Sequence, residues 1–178
     1  MRVFVAFPID EINAKKMSAV IHQNDKIEGV IWTPVENLHL TLFFIGEADE
    51  VNIPSIIVVL ENVCHQLKPF TLLFDRYLTK GKATKPTMVW ASYEKNESFS
   101  QANKLFKNAF QFLNLNQPVH KDPIPHCTLG RIKSKADVTK FDFPLSNTPE
   151  KMLVHSAELW QSTGTIYKRI KKNEFTLQ

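Results

Sequence analysis

Leu38-His39-Leu40-Thr41-Leu42-Phe43-Phe44-Ile45 and, far along the chain, Pro125-His126-Cys127-Thr128-Leu129-Gly130-Arg131-Ile132 carry the same tetrapeptide, His-x-Thr-Leu, inside runs with the composition of strands. With six histidines and twelve threonines in 178 residues, one His-x-Thr match would mean little, whereas two, each followed by Leu, form a pattern. Alternate side chains of a strand share a face. Each copy therefore sets an imidazole beside a hydroxyl, roughly 7 Å apart along the strand, while Leu40, Leu42, Cys127 and Leu129 turn to the other face and anchor it in apolar packing.

Outward from these two segments, further strand-like runs occupy Val3–Phe7, Phe70–Phe74, Thr87–Ser92, Lys151–Trp160 and Ile166–Ile170. Helical periodicity marks Ile53–Leu67 and Phe99–Leu115, and a third helix is expected from Asp10 to about Asn24 with Asp10 as its N-cap. Hairpin-like links between strands and longer helices together predict an α+β fold. Its sheets are mainly antiparallel with helices on their outer faces, in one domain spanning 1–178. Lys80–Pro86, Lys-Gly-Lys-Ala-Thr-Lys-Pro, has loop chemistry and is expected as a basic hairpin tip, with substrate contact as its alternative.

The apolar share of 43% and charged share of 22% are those of a globular protein, and no run nears the roughly 18 apolar residues that cross a bilayer. The first residues, broken by Pro8, Asp10 and Glu11, lack the form of a signal peptide, so a soluble, cytoplasmic location and no membrane partner are expected. Cys64 and Cys127 form no CxxC pair and read as buried thiols. A formal charge of +4 mildly favours an anionic partner, and nothing demands more than a monomer.

Two imidazoles suit acid–base work, because a ring that titrates near about 6.5 can take or give a proton near neutrality. Opening a cyclic phosphodiester needs both acts: water loses a proton as it attacks phosphorus, and the departing oxygen gains one. The hydroxyls of Thr41 and Thr128 can donate to nonbridging oxygens. Competing readings are two hydrogen-bonded structural histidines, a metal site using His126 with Asp122 or Cys127, and a Cys127–His126 dyad. Strand parity turns Cys127 away from His126, and no HExxH or cysteine pair supplies further ligands, so no metal and no cofactor is expected. His22, His65, His120 and His155 have no such partner and read as structural or surface residues, with only His155 lying in a strand-like run.

These residues resemble the 2H phosphoesterase superfamily, and within it the RNA 2',3'-cyclic phosphodiesterases of the 2'-5' RNA ligase, or LigT-like, family. The likeness takes in Arg2–Pro8, Trp32 to Gly46, Pro125–Arg131, and the closing segment with Glu158-Leu159-Trp160-Gln161-Ser162 and Tyr167. It implies a bilobal, pseudo-twofold fold whose two motif strands flank a central cleft. It also implies metal-independent hydrolysis of RNA 2',3'-cyclic phosphate ends to 2'-phosphomonoesters, with His39 resembling the proton donor and His126 the proton acceptor, and weak reverse 2'-5' ligation. RNA ends or cyclic nucleotides are the expected partners. Hydrolysis of another cyclic or 2'-5'-linked nucleotide, or noncatalytic binding of RNA ends, are the alternatives.

Arg131 resembles the basic residue that follows the second motif and is a candidate phosphate ligand. Counting by twos from His126 sends it away from the cleft unless Gly130 introduces a bulge or the strand ends there. Of Trp32, Phe43 and Phe44, parity makes Phe43 the candidate for stacking on a base, with core packing as its alternative. The Lys168-Arg169 and Lys171-Lys172 pairs read as a solvated strand edge.

Overall fold

The computed structural model describes residues 1–111, 123–133, 136–164 and 166–176. Among these residues ten strands run in chain order as β1 (Arg2–Pro8), β2 (Val30–Trp32), β3 (His39–Glu47), β4 (Phe70–Leu72), β5 (Phe74–Lys82), β6 (Lys85–Tyr93), β7 (His126–Ile132), β8 (Met152–Val154), β9 (Ser156–Thr163) and β10 (Ile166–Glu174). Three α-helices accompany them among the described residues: α1 (Glu11–Gln23), α2 (Ile53–Cys64) and α3 (Glu97–Ala109). The α1 boundary follows the sequence, since the Asp10 carboxylate accepts the Asn13 amide at 2.9 Å and satisfies a free first-turn donor. Asn96 caps α3 in the same way through Phe99, at 3.0 Å. The expected extension of α3 to Leu115, with His120 and Asp122, lies outside the described residues from 112 to 122.

The architecture is α+β, as expected, and every strand pairing among the described residues is antiparallel. Eight strands are hydrogen-bonded in the order β10-β9-β1-β3-β7-β6-β5, with β2 also paired to β7, and β4 with β8 forms a separate small sheet. The eight divide into two four-stranded halves, β10-β9-β1-β3 and β5-β6-β7-β2, which meet where Leu40 pairs with Cys127. Between the motif strands themselves that pair is the one register contact.

The halves repeat one register, including a defect. In β3, Ala6 pairs with Thr41 but Val5 with Phe43, so Leu42 is the extra residue of a bulge; in β7, Trp90 pairs with Thr128 but Val89 with Gly130, so Leu129 is. Each bulged carbonyl finds a donor from outside its own strand pair: the Asn103 side-chain amide of α3 reaches Leu42 O at 2.6 Å, and the Thr33 amide reaches Leu129 O at 2.8 Å. Pseudo-twofold symmetry thus matches His39 with His126, Thr41 with Thr128, and Phe44 with Arg131.

One face of both halves buries Val3, Val5, Phe7, Leu40, Leu42, Cys127 and Leu129 in a single core with Met17 and Val20 of α1, Ile56 and Leu60 of α2, and Phe99 and Phe106 of α3. The opposite face is left for the cleft, and none of the described helices is long and apolar enough to cross a membrane.

The strands refine the sequence expectations. Phe70–Phe74 and Lys151–Trp160 each divide into two strands, one of which joins the small sheet. Lys80–Pro86 is the exposed hairpin tip that was expected, and a tight one, because β5 and β6 continue to Lys82 and Lys85 and leave two turn residues. Finally, β2 went unread because three residues show no periodicity. It seats Trp32 over Gly130, where an added Cβ would lie 2.8 Å from the indole. Trp32 therefore packs against the backbone of β7 and edge-on to Phe141, and it is absent from the cleft lining. Gly130→Ala should cost about 1–3 kcal/mol through this overlap. Equilibrium urea unfolding checks it: Trp32→Leu should recover part of the loss in the double variant, and an additive double variant contradicts the packing account.

Candidate active site

His39, Thr41, His126, Thr128 and Arg131 line one cavity of about 570 Å³ with Arg2, Phe4, Phe44, Trp90 and Tyr167 among its other walls. The Leu40–Cys127 pair sets their relation. In an antiparallel ladder its flanking positions bring His39 toward Thr128 and Thr41 toward His126. The two histidines become diagonal neighbours, roughly 7–8 Å apart at Cα in regular geometry. Neither threonine hydroxyl has a hydrogen-bond partner among the described residues, so both are available to a ligand.

Both imidazoles are oriented alike. Nδ1 of His39 lies 2.7 Å from the carbonyl of Asn37, and Nδ1 of His126 lies 2.7 Å from that of Ile124, in each case two residues upstream. A carbonyl only accepts, so Nδ1 carries a proton in both rings, and Nε2 is left as the nitrogen that can take or deliver another.

Burial holds both rings below the usual imidazole range. His39 falls to about 4, mainly by desolvation, with the positive charges of His126 and Arg131 adding to the fall and the Asn37 carbonyl opposing it. His126 is lowered by desolvation and by Lys80, against the Ile124 carbonyl. The His39 ring is enclosed by Phe4 at 5.0 Å, Trp160 at 5.2 Å and Tyr167 at 5.3 Å between centroids. The indole of Trp160 donates to the buried Glu158 carboxylate at 2.8 Å, and the same carboxylate binds Arg169 Nε at 2.9 Å. His126 stacks on Trp90 at 3.7 Å, and Lys80 Nζ lies 5.2 Å from the centre of that indole.

The bulges decide two sequence expectations. Arg131 faces the cleft because the extra residue at Leu129 shifts parity, the condition under which the sequence allowed it. Phe43 does not face the cleft: the matching bulge at Leu42 turns it into the core, where it is buried and stacks on Phe110 at 5.8 Å, and Phe44 takes the cleft position. Cys127 is fully buried on the core face with its thiol pushed up to about 12, which removes it from nucleophilic chemistry. His155 lies on the surface paired with Glu174 at 2.7 Å. Lys168, Arg169, Lys171 and Lys172 lie on β10, the edge strand of the sheet, as expected, and the exposed Arg169 also pairs with buried Glu158. Among the described residues no three His, Cys, Asp or Glu side chains converge as a metal site.

Sequence reasoning missed Arg2, Phe4 and Trp90. Arg2 and Phe4 were legible in the alternation of β1, where Val3, Val5 and Phe7 enter the core and Arg2, Phe4 and Ala6 take the other face. Trp90 gave no signal, since its approach to His126 depends on the register of β6 on β7.

The fold is that of a known group of structures. A Thermus thermophilus protein superposes with a TM-score of 0.81 at 21% identity over 98% of each chain, and Escherichia coli LigT in its apo form with 0.71 at 20% over 99% of this chain and 98% of that one. Residues 9–90 match the family described as LigT like phosphoesterase. An Archaeoglobus fulgidus protein named RNA 2',3'-cyclic phosphodiesterase is 30% identical over 96% of this chain and 98% of its own. A Thermotoga maritima protein of the same name is 29% identical over 98% and 96%. The chain belongs to the LigT-like phosphoesterase family.

Folding that buries neutral His39 makes stability depend on pH. The unfolded chain binds a proton near about 6.5 and the folded one only near 4, so this contribution is present above 6.5 and lost as pH falls toward 4. His39→Asn, whose side-chain amide can still donate to the Asn37 carbonyl, should therefore lose less stability than the parent between pH 7 and pH 4.5 in urea titrations. Parallel losses would show that His39 is not held neutral.

Proposed function

We propose that this protein hydrolyses 2',3'-cyclic phosphates at RNA ends to 2'-phosphomonoesters, without a metal, by acid–base catalysis from His39 and His126. The observation that carries the reading is the paired orientation of two half-buried imidazoles, each with Nδ1 tied to its own strand's approach and Nε2 left for one shared cavity. The relatives named RNA 2',3'-cyclic phosphodiesterase support the substrate class.

In this reading Nε2 of neutral His126 takes a proton from water as the oxygen attacks phosphorus. Nε2 of protonated His39 gives its proton to the ribose 3'-oxygen as the P–O3' bond breaks, leaving the phosphate on O2'. Thr41, Thr128 and Arg131 donate to the nonbridging oxygens, where the transition state gathers charge. The more enclosed ring, His39, is the stronger acid once protonated, which suits it to a poor alkoxide leaving group. Its low proton affinity in the free protein is offset by the anionic phosphate, which favours the charged imidazole and engages the Arg131 charge that opposes it. When the 5'-hydroxyl of a second RNA takes the place of water, His126 accepts its proton as the 5'-oxygen attacks phosphorus and His39 protonates O3' as the P–O3' bond breaks, so weak 2'-5' ligation accompanies hydrolysis.

His39→Ala or His126→Ala should each reduce kcat/KM on adenosine 2',3'-cyclic phosphate by about 10²–10⁴-fold with the far-ultraviolet circular dichroism unchanged. Hydrolysis should survive EDTA, and phosphorus NMR should identify a 2'-phosphate. Retention of activity in both variants would refute the acid–base assignment.

The pH profile supplies a separate check. Protonation of His126 closes the acid limb and loss of the His39 proton closes the alkaline limb, and both groups are displaced downward. The kcat/KM bell should therefore centre on the acid side of about 6.5. A centre above pH 7 would contradict the burial of both rings.

A further inference from the structure

We propose that Arg2, with Ser162 beside it, binds the phosphate on the 5' side of the terminal nucleoside, so that the cleft reads a cyclic phosphate as the end of a chain rather than as a free mononucleotide. The inference rests on the cyclic-phosphate reading and adds a second anion site to it.

Of the four arginines, Arg169 is paired with Glu158 at 2.9 Å and Arg76 with Asp75 at 3.3 Å. Arg2 and Arg131 have no carboxylate partner among the described residues, and both line the cavity. Glu47, which sits opposite Arg2 in the register, instead lies 3.8 Å from the terminal amine. An unpaired guanidinium facing a cavity is a ready anion ligand, because its planar fork matches two oxygens of one phosphate.

Arg131 belongs to the reacting centre, where its charge already acts on His39. Arg2 stands apart from that centre. It lies two residues along β1 from Phe4, whose ring touches His39, a step of roughly 7 Å. Its guanidinium lies 5.8 Å from the centre of the Phe44 ring, which fixes the head group without using its donors. Ser162 is its register partner on β9, also lines the cavity and adds a hydroxyl at the same level. A nucleoside whose cyclic phosphate lies between the histidines spans the aromatic stretch of Phe4 and Phe44, and its 5'-oxygen emerges where Arg2 and Ser162 stand. Lys80 is the competing cation, but it lies over Trp90 on the other half and is not among the residues lining the cavity.

The test compares adenosine 2',3'-cyclic phosphate with its 5'-methylphosphodiester, which restores the single charge of an internucleotide link, and with the uncharged dimethyl triester. The parent protein should favour the charged diester over both others by on the order of tenfold in kcat/KM, mainly through KM, the scale of one charge-assisted contact. Arg2→Gln should erase that preference, read as the ratio of kcat/KM between the charged diester and the unsubstituted cyclic nucleotide in the same variant, and Lys80→Gln should keep it. Equal use of the three substrates by the parent, or a preference that survives Arg2→Gln or disappears in Lys80→Gln, overturns the proposal. Should Arg2→Gln fail to fold, Arg2→Lys is expected to keep only part of the preference, and full retention overturns it. A parent protein that hydrolyses none of the three removes the cyclic-phosphate reading, and this inference with it.

Discussion

The pairing of Leu40 with Cys127 is the constraint on which the site depends. It joins two half-sheets, one packed on α2 and α3 and the other on α1, and it fixes the register in which the two motif strands approach. Both residues are fully buried and neither side chain takes part in chemistry. Their contribution is to hold the neighbouring positions, so that each histidine of one strand is met by the threonine of the other. A slip of one residue would turn every cleft side chain into the core, a change that the apolar faces of Leu40, Leu42, Cys127 and Leu129 oppose strongly.

Burial gives the two rings their fixed orientation and also sets their proton affinity. The aromatic walls of Phe4, Trp160 and Tyr167 around His39, and of Trp90 against His126, remove water that would otherwise let each ring rotate and titrate near its ordinary value. Each ring keeps one hydrogen bond to a carbonyl, which favours the charged form but does not outweigh the loss of water around it. An anion entering the cleft is then the natural source of the missing stabilisation, and proton uptake becomes linked to binding.

Much of this was legible in the sequence because strand parity is a hard geometric rule. The doubled motif, the inward turn of Cys127 and the Asp10 cap all follow from local chemistry. The failures have one cause. A bulge inserts a residue without leaving a compositional mark in β3, so Phe43 and Phe44 exchange faces; in β7 the glycine at 130 is the one hint, and it leaves both faces open to Arg131. Contacts that arise between strands distant in sequence, such as Trp90 on His126 or Arg2 beside Ser162, lie beyond any local pattern because they depend on register.

The repeated register also makes the differences between the halves informative. Positions matched by the bulges carry Phe44 in one strand and Arg131 in the other; those matched across the neighbouring strands carry Ala6 against Trp90 and Phe4 against Met88. The outer strands continue the divergence, with Trp160 opposite Phe4 where Lys80 stands opposite Met88. One half is thus an aromatic enclosure around His39, stiffened below by buried Glu158 and its exposed partner Arg169, and the other sets a cation, Lys80, near His126. A symmetric frame suits a phosphorus atom approached from two sides. Asymmetric walls suit the two sides of the proposed substrate, where the ribose 3'-oxygen leaves phosphorus on one side and water arrives from the other.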